Sequence, residues 1–241
     1  MNTKLPRRAE SMKVYEKIDR RELLAALNIC GRVTPRRAPS EVLTFVRLDR
    51  DKIEATDGEL RVIVPHPYDG EPMLLPFHKL SELTRVAAGE NLALECDGNV
   101  AIIKSRAGKW SLPTADPADW PELHSTTRSP VARIPADQLA RGLSAVIDAA
   151  DPQAGQVALG GVHLDVTDGL VSLVATDGRR LFKSEINIDQ AVDDSQMLLT
   201  ARAATLIGVL AGQLGDEGNV QLERSGSDIF AEIGTGGAQV I

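Results

Sequence analysis

The chain has 241 residues, 43% of them hydrophobic and 25% charged, a globular composition long enough for two domains with cores of their own. Its formal charge of −7 excludes an evenly basic coat for nucleic acid, and no apolar run approaches the roughly 20 residues that span a bilayer. Two cysteines, Cys30 and Cys96, offer neither a disulfide framework nor metal-ligand spacing, so a reducing, cytoplasmic setting is expected.

Near the N-terminus there is no apolar core of a signal peptide. Leu23, Leu24, Leu27 and Cys30 then recur at helical spacing, with Arg20, Arg21 and Asn28 on the opposite side. Basic residues are dense over 32–37, in Arg32, Arg36 and Arg37. Short β-rich runs follow over 42–48 and 52–55, ending at Asp57-Gly58, a pair that supplies the positive φ of a tight turn. A second helix is predicted over 77–88, with Leu80, Leu83 and Val86 on its apolar face, and another Asp-Gly pair falls at Asp97-Gly98. Residues 113–135 carry five prolines and read as a linker that packs through Trp120, with the domain boundary near Thr126.

Beyond the linker the order recurs. Leu139, Leu143, Val146 and Ile147 form one helical face, opposite Arg141, Ser144 and Asp148; strands are predicted over 162–166 and 171–175, and a last helix over 201–214 with Leu206, Ile207 and Leu210 buried. The Asp-Gly pairs Asp168-Gly169 and Asp177-Gly178 punctuate this half, and acids gather over 189–194.

The two halves also match residue by residue. Ile53-Glu54-Ala55-Thr56-Asp57-Gly58 returns as Leu173-Val174-Ala175-Thr176-Asp177-Gly178; residues 18–27 return as 134–143; Met73-Leu74-Leu75 returns as Met197-Leu198-Leu199; Leu94-Glu95 returns as Leu222-Glu223. Four blocks in one order, at a period far beyond that of solenoid repeats, mean a duplicated domain. The expected class is α+β: two tandem copies of one unit, each with antiparallel sheets and two helices.

Enzymatic chemistry is poorly supported. His66, His78, His124 and His163 are scattered, Gly108-Lys109 lacks the rest of a phosphate loop, and the glycine-rich 234–237 opens no helix and reads as a turn. Asp57 and Asp177 could serve as paired carboxylates with a divalent metal, the enzymatic alternative, but each also sits where a hairpin turn asks for Asp before Gly. No catalytic residue, metal or cofactor is assigned.

The stretch Leu159-Gly160-Gly161-Val162-His163-Leu164-Asp165-Val166, followed by Ala175-Thr176-Asp177-Gly178-Arg179-Arg180-Leu181, resembles the second domain of the bacterial sliding clamp, the β subunit of the replicative DNA polymerase. Pro35-Arg36-Arg37, Ser111-Leu112-Pro113 and Trp120-Pro121-Glu122-Leu123 agree with its first unit and linker, and Met12-Lys13-Val14 with its start. The resemblance implies clamp domains at 12–126 and 127–241, preceded by a disordered extension 1–11. It further implies a non-enzymatic processivity factor that encircles double-stranded DNA without reading sequence. In the family, six units make the ring, with helices lining the hole.

Arg36, Arg37, Lys79, Arg85, Arg141 and Gln153 match DNA-facing positions, with Arg20 and Arg202 as further candidates. Leu159, Thr176, Gly178, Arg179, Arg180 and Leu181 match the cleft that takes short peptides from polymerase and clamp-loader proteins. Such clamps carry three units per subunit and close as dimers, whereas only two are present here. A homo-oligomer is therefore expected, a trimer if six units close. The alternative is a clamp remnant acting as an adaptor without a ring.

Overall fold

The computed structural model describes residues 16–97, 99–123, 127–189 and 194–241. The expected extension 1–11, the start at Met12, the boundary at Thr126, His124, Gly98 and most of the acidic run 189–194 lie outside those residues.

The first unit runs β1 (Glu16–Asp19), α1 (Arg20–Cys30), β2 (Phe45–Asp49), β3 (Lys52–Thr56), β4 (Arg61–Pro65), β5 (Met73–Pro76), α2 (Phe77–Val86), β6 (Asn91–Asp97), β7 (Val100–Ser105) and β8 (Gly108–Pro113). The second repeats it as β9 (Ser129–Pro135), α3 (Ala136–Val146), β10 (Gly161–Thr167), β11 (Leu170–Thr176), β12 (Leu181–Asn187), β13 (Ser195–Thr200), α4 (Ala201–Gly212), β14 (Asn219–Ser225), β15 (Asp228–Ile233) and β16 (Ala238–Val240). Duplication in sequence is thus duplication in structure, element for element.

Local chemistry sets the helix starts. The Asp19 carboxylate accepts from the Arg21 and Glu22 amides at 2.7 and 3.0 Å, and the Thr200 hydroxyl accepts from the Ala203 amide, each satisfying a donor that the first helical turn leaves unpaired. On α1, Leu23, Ala26, Leu27 and Cys30 are buried; on α3, Leu139, Leu143 and Val146. The helices stop short of the predicted ends, and Val86 is 67% exposed at the last position of α2 rather than on its buried face. The β-run predicted over 42–48 opens as a 3₁₀ turn, Glu41–Thr44, before β2 begins.

Each unit folds its strands into two four-stranded antiparallel sets of the same order. In the first unit these are β1-β6-β7-β8 and β5-β2-β3-β4; in the second, β9-β14-β15-β16 and β13-β10-β11-β12. The two middle sets are one sheet. β16 pairs antiparallel with β4, Val240 facing Val62 and Gln239 facing Ile63, and Arg61 and Ile241 exchange both backbone hydrogen bonds at 2.8 and 2.9 Å. An eight-stranded sheet, β5-β2-β3-β4-β16-β15-β14-β9, therefore runs through both units. Val62 and Val240 are buried at its centre, and one hydrophobic core continues beneath it.

The linker is more ordered than its prolines imply. Its last part is strand β9, and Pro117–Asp119 form a turn of 3₁₀ helix that seats Trp120 against Phe45 and Leu74. The indole Nε1 donates to Glu54 at 3.3 Å, and the buried Glu54 carboxylate also holds Lys52 at 2.6 Å and Arg61 at 3.0 Å. Arg61 donates in turn to the Pro121 carbonyl, so a buried ionic network fastens the linker to the first unit beside the joint.

His66 breaks the repeat's logic. It is 4% exposed, neither ring nitrogen has a hydrogen-bond partner, and the corresponding position of β12 holds buried Ile186. Burial holds its imidazole below the ordinary histidine value, against the opposing pull of Glu22 and Asp19. A lowered folded-state value means that the unfolded chain takes up the proton first, so stability falls as pH drops through about 6.5. His66→Ile should raise stability by about 1 to 2 kcal/mol by removing unpaired buried nitrogens, and should flatten the loss between pH 7.5 and 5.5. Urea midpoints at the two pH values check both effects.

Candidate DNA face and docking cleft

The expected DNA-facing residues are all at the surface. Arg36, Arg37, Lys79, Arg85, Arg141 and Gln153 are exposed, but their charges are not equally available. Arg141 is paired with Asp137 one turn away at 2.6 Å, and Arg202 with Asp57 across the joint between the units. Arg20 points back into the fold, donating to the carbonyls of Gly89 and Thr84 at 3.0 and 3.3 Å, which ties the start of α1 to the end of α2. Among the described residues no ion pair engages Arg36, Arg37, Lys79 or Arg85.

Two of these cations, Arg36 and Arg85, meet in one groove. A groove of about 500 Å³ between α1 and α2 is lined by Arg32, Arg36 and Arg85, with Asn28, His78 and Glu82. Arg32, noted in the sequence as the start of the basic run, was not among the expected DNA-facing residues. The matching groove between α3 and α4, about 230 Å³, is lined by Ala140, Leu143, Ser144, Ile147, Ala204, Thr205, Gly208 and Val209 and bears no charge. Among the four helices, the cations without an ion pair therefore belong to the first unit's pair, since Arg141 of α3 and Arg202 of α4 are both paired.

The Thr-Asp-Gly motif builds the same turn twice. The Thr56 hydroxyl donates to the Leu60 carbonyl at 3.0 Å and accepts from the Gly58 amide at 3.1 Å; Thr176 does the same with Arg180 and Gly178 at 2.7 and 3.0 Å. The carboxylates of Asp57 and Asp177 each accept from two backbone amides in the turn, and Gly58 and Gly178 take φ of +98° and +84°, where a side chain would strain the backbone. Both aspartates are thus engaged as turn residues. No group of three or more potential metal ligands occurs among the described residues.

What differs is the setting of the two turns. Thr56, Gly58, Glu59, Leu60 and Arg61 line a formed cleft of about 360 Å³ whose far wall is Leu198, Thr200, Ala203, Ile207 and Ile241 of the second unit. The second copy lies at an open end of the molecule. Arg180 is held by Asp177 at 3.1 Å and by the Asp148 carbonyl at 2.6 Å, while Leu181 is 60% and Phe182 39% exposed. The Leu159 carbonyl accepts from the Asp151 amide, which puts Leu159 on the loop that follows Asp148. Of the residues matched to a peptide cleft, Thr176, Gly178 and Arg180 thus build a hydrogen-bonded turn, Leu181 is exposed and Leu159 is partly buried.

Two four-stranded sets and two helices per unit, repeated and fused through one sheet, define a processivity-clamp architecture. No family model matches the chain. It is similar in sequence to the β sliding clamp of Chlamydia pneumoniae, 26% identical over 184 residues, and to that of Escherichia coli K12, 21% identical over 187. Those matches cover 72% and 76% of this chain, which spans about half the length of these relatives. A DNA polymerase III β subunit structure from Eubacterium rectale superposes with a TM-score of 0.86 at 16% identity, covering 94% of this chain and 63% of that one. The subunit from Pseudomonas aeruginosa gives 0.84 at 21%, with the same coverage. The chain carries the bacterial sliding-clamp fold, two units of it, and resembles that clamp in sequence.

The backbone amides of Arg180 and Arg179 and the Arg180 guanidinium hold the Asp177 carboxyl below the usual carboxylate value. At Asp57 burial pushes upward but is outweighed by the amides of Leu60 and Glu59 and by Arg202. Depressed folded-state values contribute stability that is present above about pH 3.9 and is lost as pH falls through the lower native value. Asp57→Ala should therefore lower the thermal midpoint at pH 7 more than Asp177→Ala, since only Asp57 also ties Arg202 across the joint. The difference should shrink in acid, as scanning calorimetry at pH 7 and pH 3 would register.

Proposed function

We propose that this chain is a sliding-clamp processivity module: a non-enzymatic protein that holds duplex DNA without reading its sequence and docks replication proteins through short linear peptides. The observation that carries this reading is the groove between α1 and α2, lined by Arg32, Arg36 and Arg85, which have no ion pair among the described residues of a chain whose formal charge is −7. Scattered cations on helices suit phosphates, and nothing in such a face distinguishes one base pair from another. In the ring form of this reading, three chains supply six units.

Duplex binding should be weak, steeply salt-dependent and indifferent to sequence. Reversing Arg36 and Arg85 to Glu should weaken it equally on unrelated duplexes, and Arg141→Glu should cost less because that charge is already spent on Asp137. Fluorescence anisotropy across a salt series measures this; a clear preference among sequences would count against the reading.

In the second unit, Leu159 and Leu181 would form the floor for a peptide's apolar anchor. Gly178 would leave room for its backbone, and Thr176, Arg179 and Arg180 would frame the rim. Leu181→Ala should weaken a labelled clamp-binding peptide about fivefold, the equivalent of about 1 kcal/mol of lost apolar contact. Affinity unchanged by that substitution would assign the motif to its turn alone.

A further inference from the structure

The two copies of the Thr-Asp-Gly turn differ in charge as well as in setting. After the glycine the first copy carries Glu59 and the second Arg179, both exposed. The cleft of about 360 Å³ beside the first copy lies within the span of about 300 to 1,000 Å³ usual for ligand sites. It also sits where such sites are favoured, at the joint between two domains. We propose that this cleft is a second docking site, which takes a short extended peptide bearing an apolar anchor flanked by lysine or arginine. The inference goes beyond the docking residues of the second unit, and rests on the clamp reading only for a partner protein as the source of the peptide.

Fixed elements wall the cleft. Leu60, Leu199, Ile207 and Val240, all buried in the fold, turn apolar surface toward it. The Thr56 hydroxyl holds the turn through the Leu60 carbonyl and the Gly58 amide. Pro121 and Leu123 of the linker form another side, fastened by Arg61 at the Pro121 carbonyl and by Trp120 at Glu54. A cleft formed in advance loses little freedom on binding, so a small contact area suffices.

Backbone on one wall suits an extended chain. Leu198, Leu199 and Thr200 all line the cleft, although successive side chains of a strand point to opposite faces. What β13 turns to the cleft is therefore its edge. β13 ends its sheet and pairs only with β10 among the described residues, so that edge offers main-chain donors and acceptors that no second strand takes up. An extended peptide can add to such an edge, its main chain giving affinity and its alternate side chains reaching the apolar surface. This wall favours a peptide over a small apolar molecule, which has no backbone to offer.

Charge selects the peptide. Three carboxylates line the cleft, Glu59, Glu122 and Asp228. The cation among the lining residues, Arg61, is buried and bound to Glu54, and neighbouring Arg202 is bound to Asp57. Glu122 holds Arg47 at 3.2 Å, but Glu59 and Asp228 have no ion pair among the described residues. The rim is therefore negative, and complementary charge speeds encounter and rejects wrong partners. The second copy carries Arg179 and Arg180 in its turn instead, so the two sites select peptides of opposite charge.

Two fluorescein-labelled peptides test this, each with adjacent leucine and phenylalanine, one flanked by lysines and the other by glutamates. In anisotropy titrations of the full chain the lysine peptide should bind about tenfold more tightly than the glutamate peptide. Glu59→Lys should weaken the lysine peptide about fivefold, since an attraction at the rim becomes a repulsion. Ala203→Trp, which fills the cleft from α4, should abolish binding, and Leu181→Ala should leave it unchanged. Thermal midpoints check the fold of each variant; Glu59 is exposed, so its variant decides the matter if Ala203→Trp fails to fold. The proposal is overturned if the lysine peptide does not bind, or binds equally well with serines in place of leucine and phenylalanine. It is also overturned if Glu59→Lys or a folded Ala203→Trp leaves the affinity unchanged, or if Leu181→Ala lowers it. None of these readouts uses DNA or the peptide of the second unit, so failure of this site is distinguishable from failure of the clamp reading.

Discussion

The pairing of β4 with β16 is the contact on which the architecture depends. Without it there are two small α+β units joined by a proline-rich segment; with it there is one eight-stranded sheet over a continuous core. The contact is short, since β16 has only three residues. Its backbone bonds alone would be marginal, because a few strand hydrogen bonds exchange for bonds to water at modest net gain. What fixes it is the burial of Val62 and Val240 together with the Glu54–Arg61–Trp120 network beside it. Burying that many charged groups is tolerable only because each has partners.

Duplication gives a natural control on environment. One turn, with the same hydrogen bonds and the same left-handed glycine, is placed once against a neighbouring unit and once at an open end. In the first setting it lines a cleft and its strand is buried; in the second its leucine and phenylalanine are exposed. The turn's backbone is indifferent to the difference, because the Thr hydroxyl and Asp-to-amide bonds that shape it are all local. Whether such a motif makes a binding site is decided by what stands opposite.

Charge shows the same separation of local from global. Net charge and the availability of cations are different quantities in this chain. The acids consume Arg141, Arg180, Arg202 and the cations of the linker network, and the α1–α2 pair keeps its own. An acidic protein can therefore offer a basic helical face, and its acidity elsewhere keeps long-range attraction to nucleic acid low.

Much of this was legible in the sequence. Helical spacing of Leu23, Leu27 and Cys30, the Asp-Gly pairs and the four recurring blocks defined the elements and the duplication, because those signals are local or rest on comparing the chain with itself. Val86 and the run over 42–48 were misread where an element ends and neighbouring packing overrides propensity. The linker strand β9 was hidden for a similar reason: Pro130 and Pro135 lie on an edge strand, where a missing amide donor costs little. Only the tertiary structure decided which arginines are spent on carboxylates and that the first copy of the motif owns a formed cleft. It also decided that β8 and β12 are open while their counterparts are joined. Ion pairs and sheet edges are relations between residues distant in the chain, such as Asp57 with Arg202 and Val62 with Val240, and no local pattern encodes them.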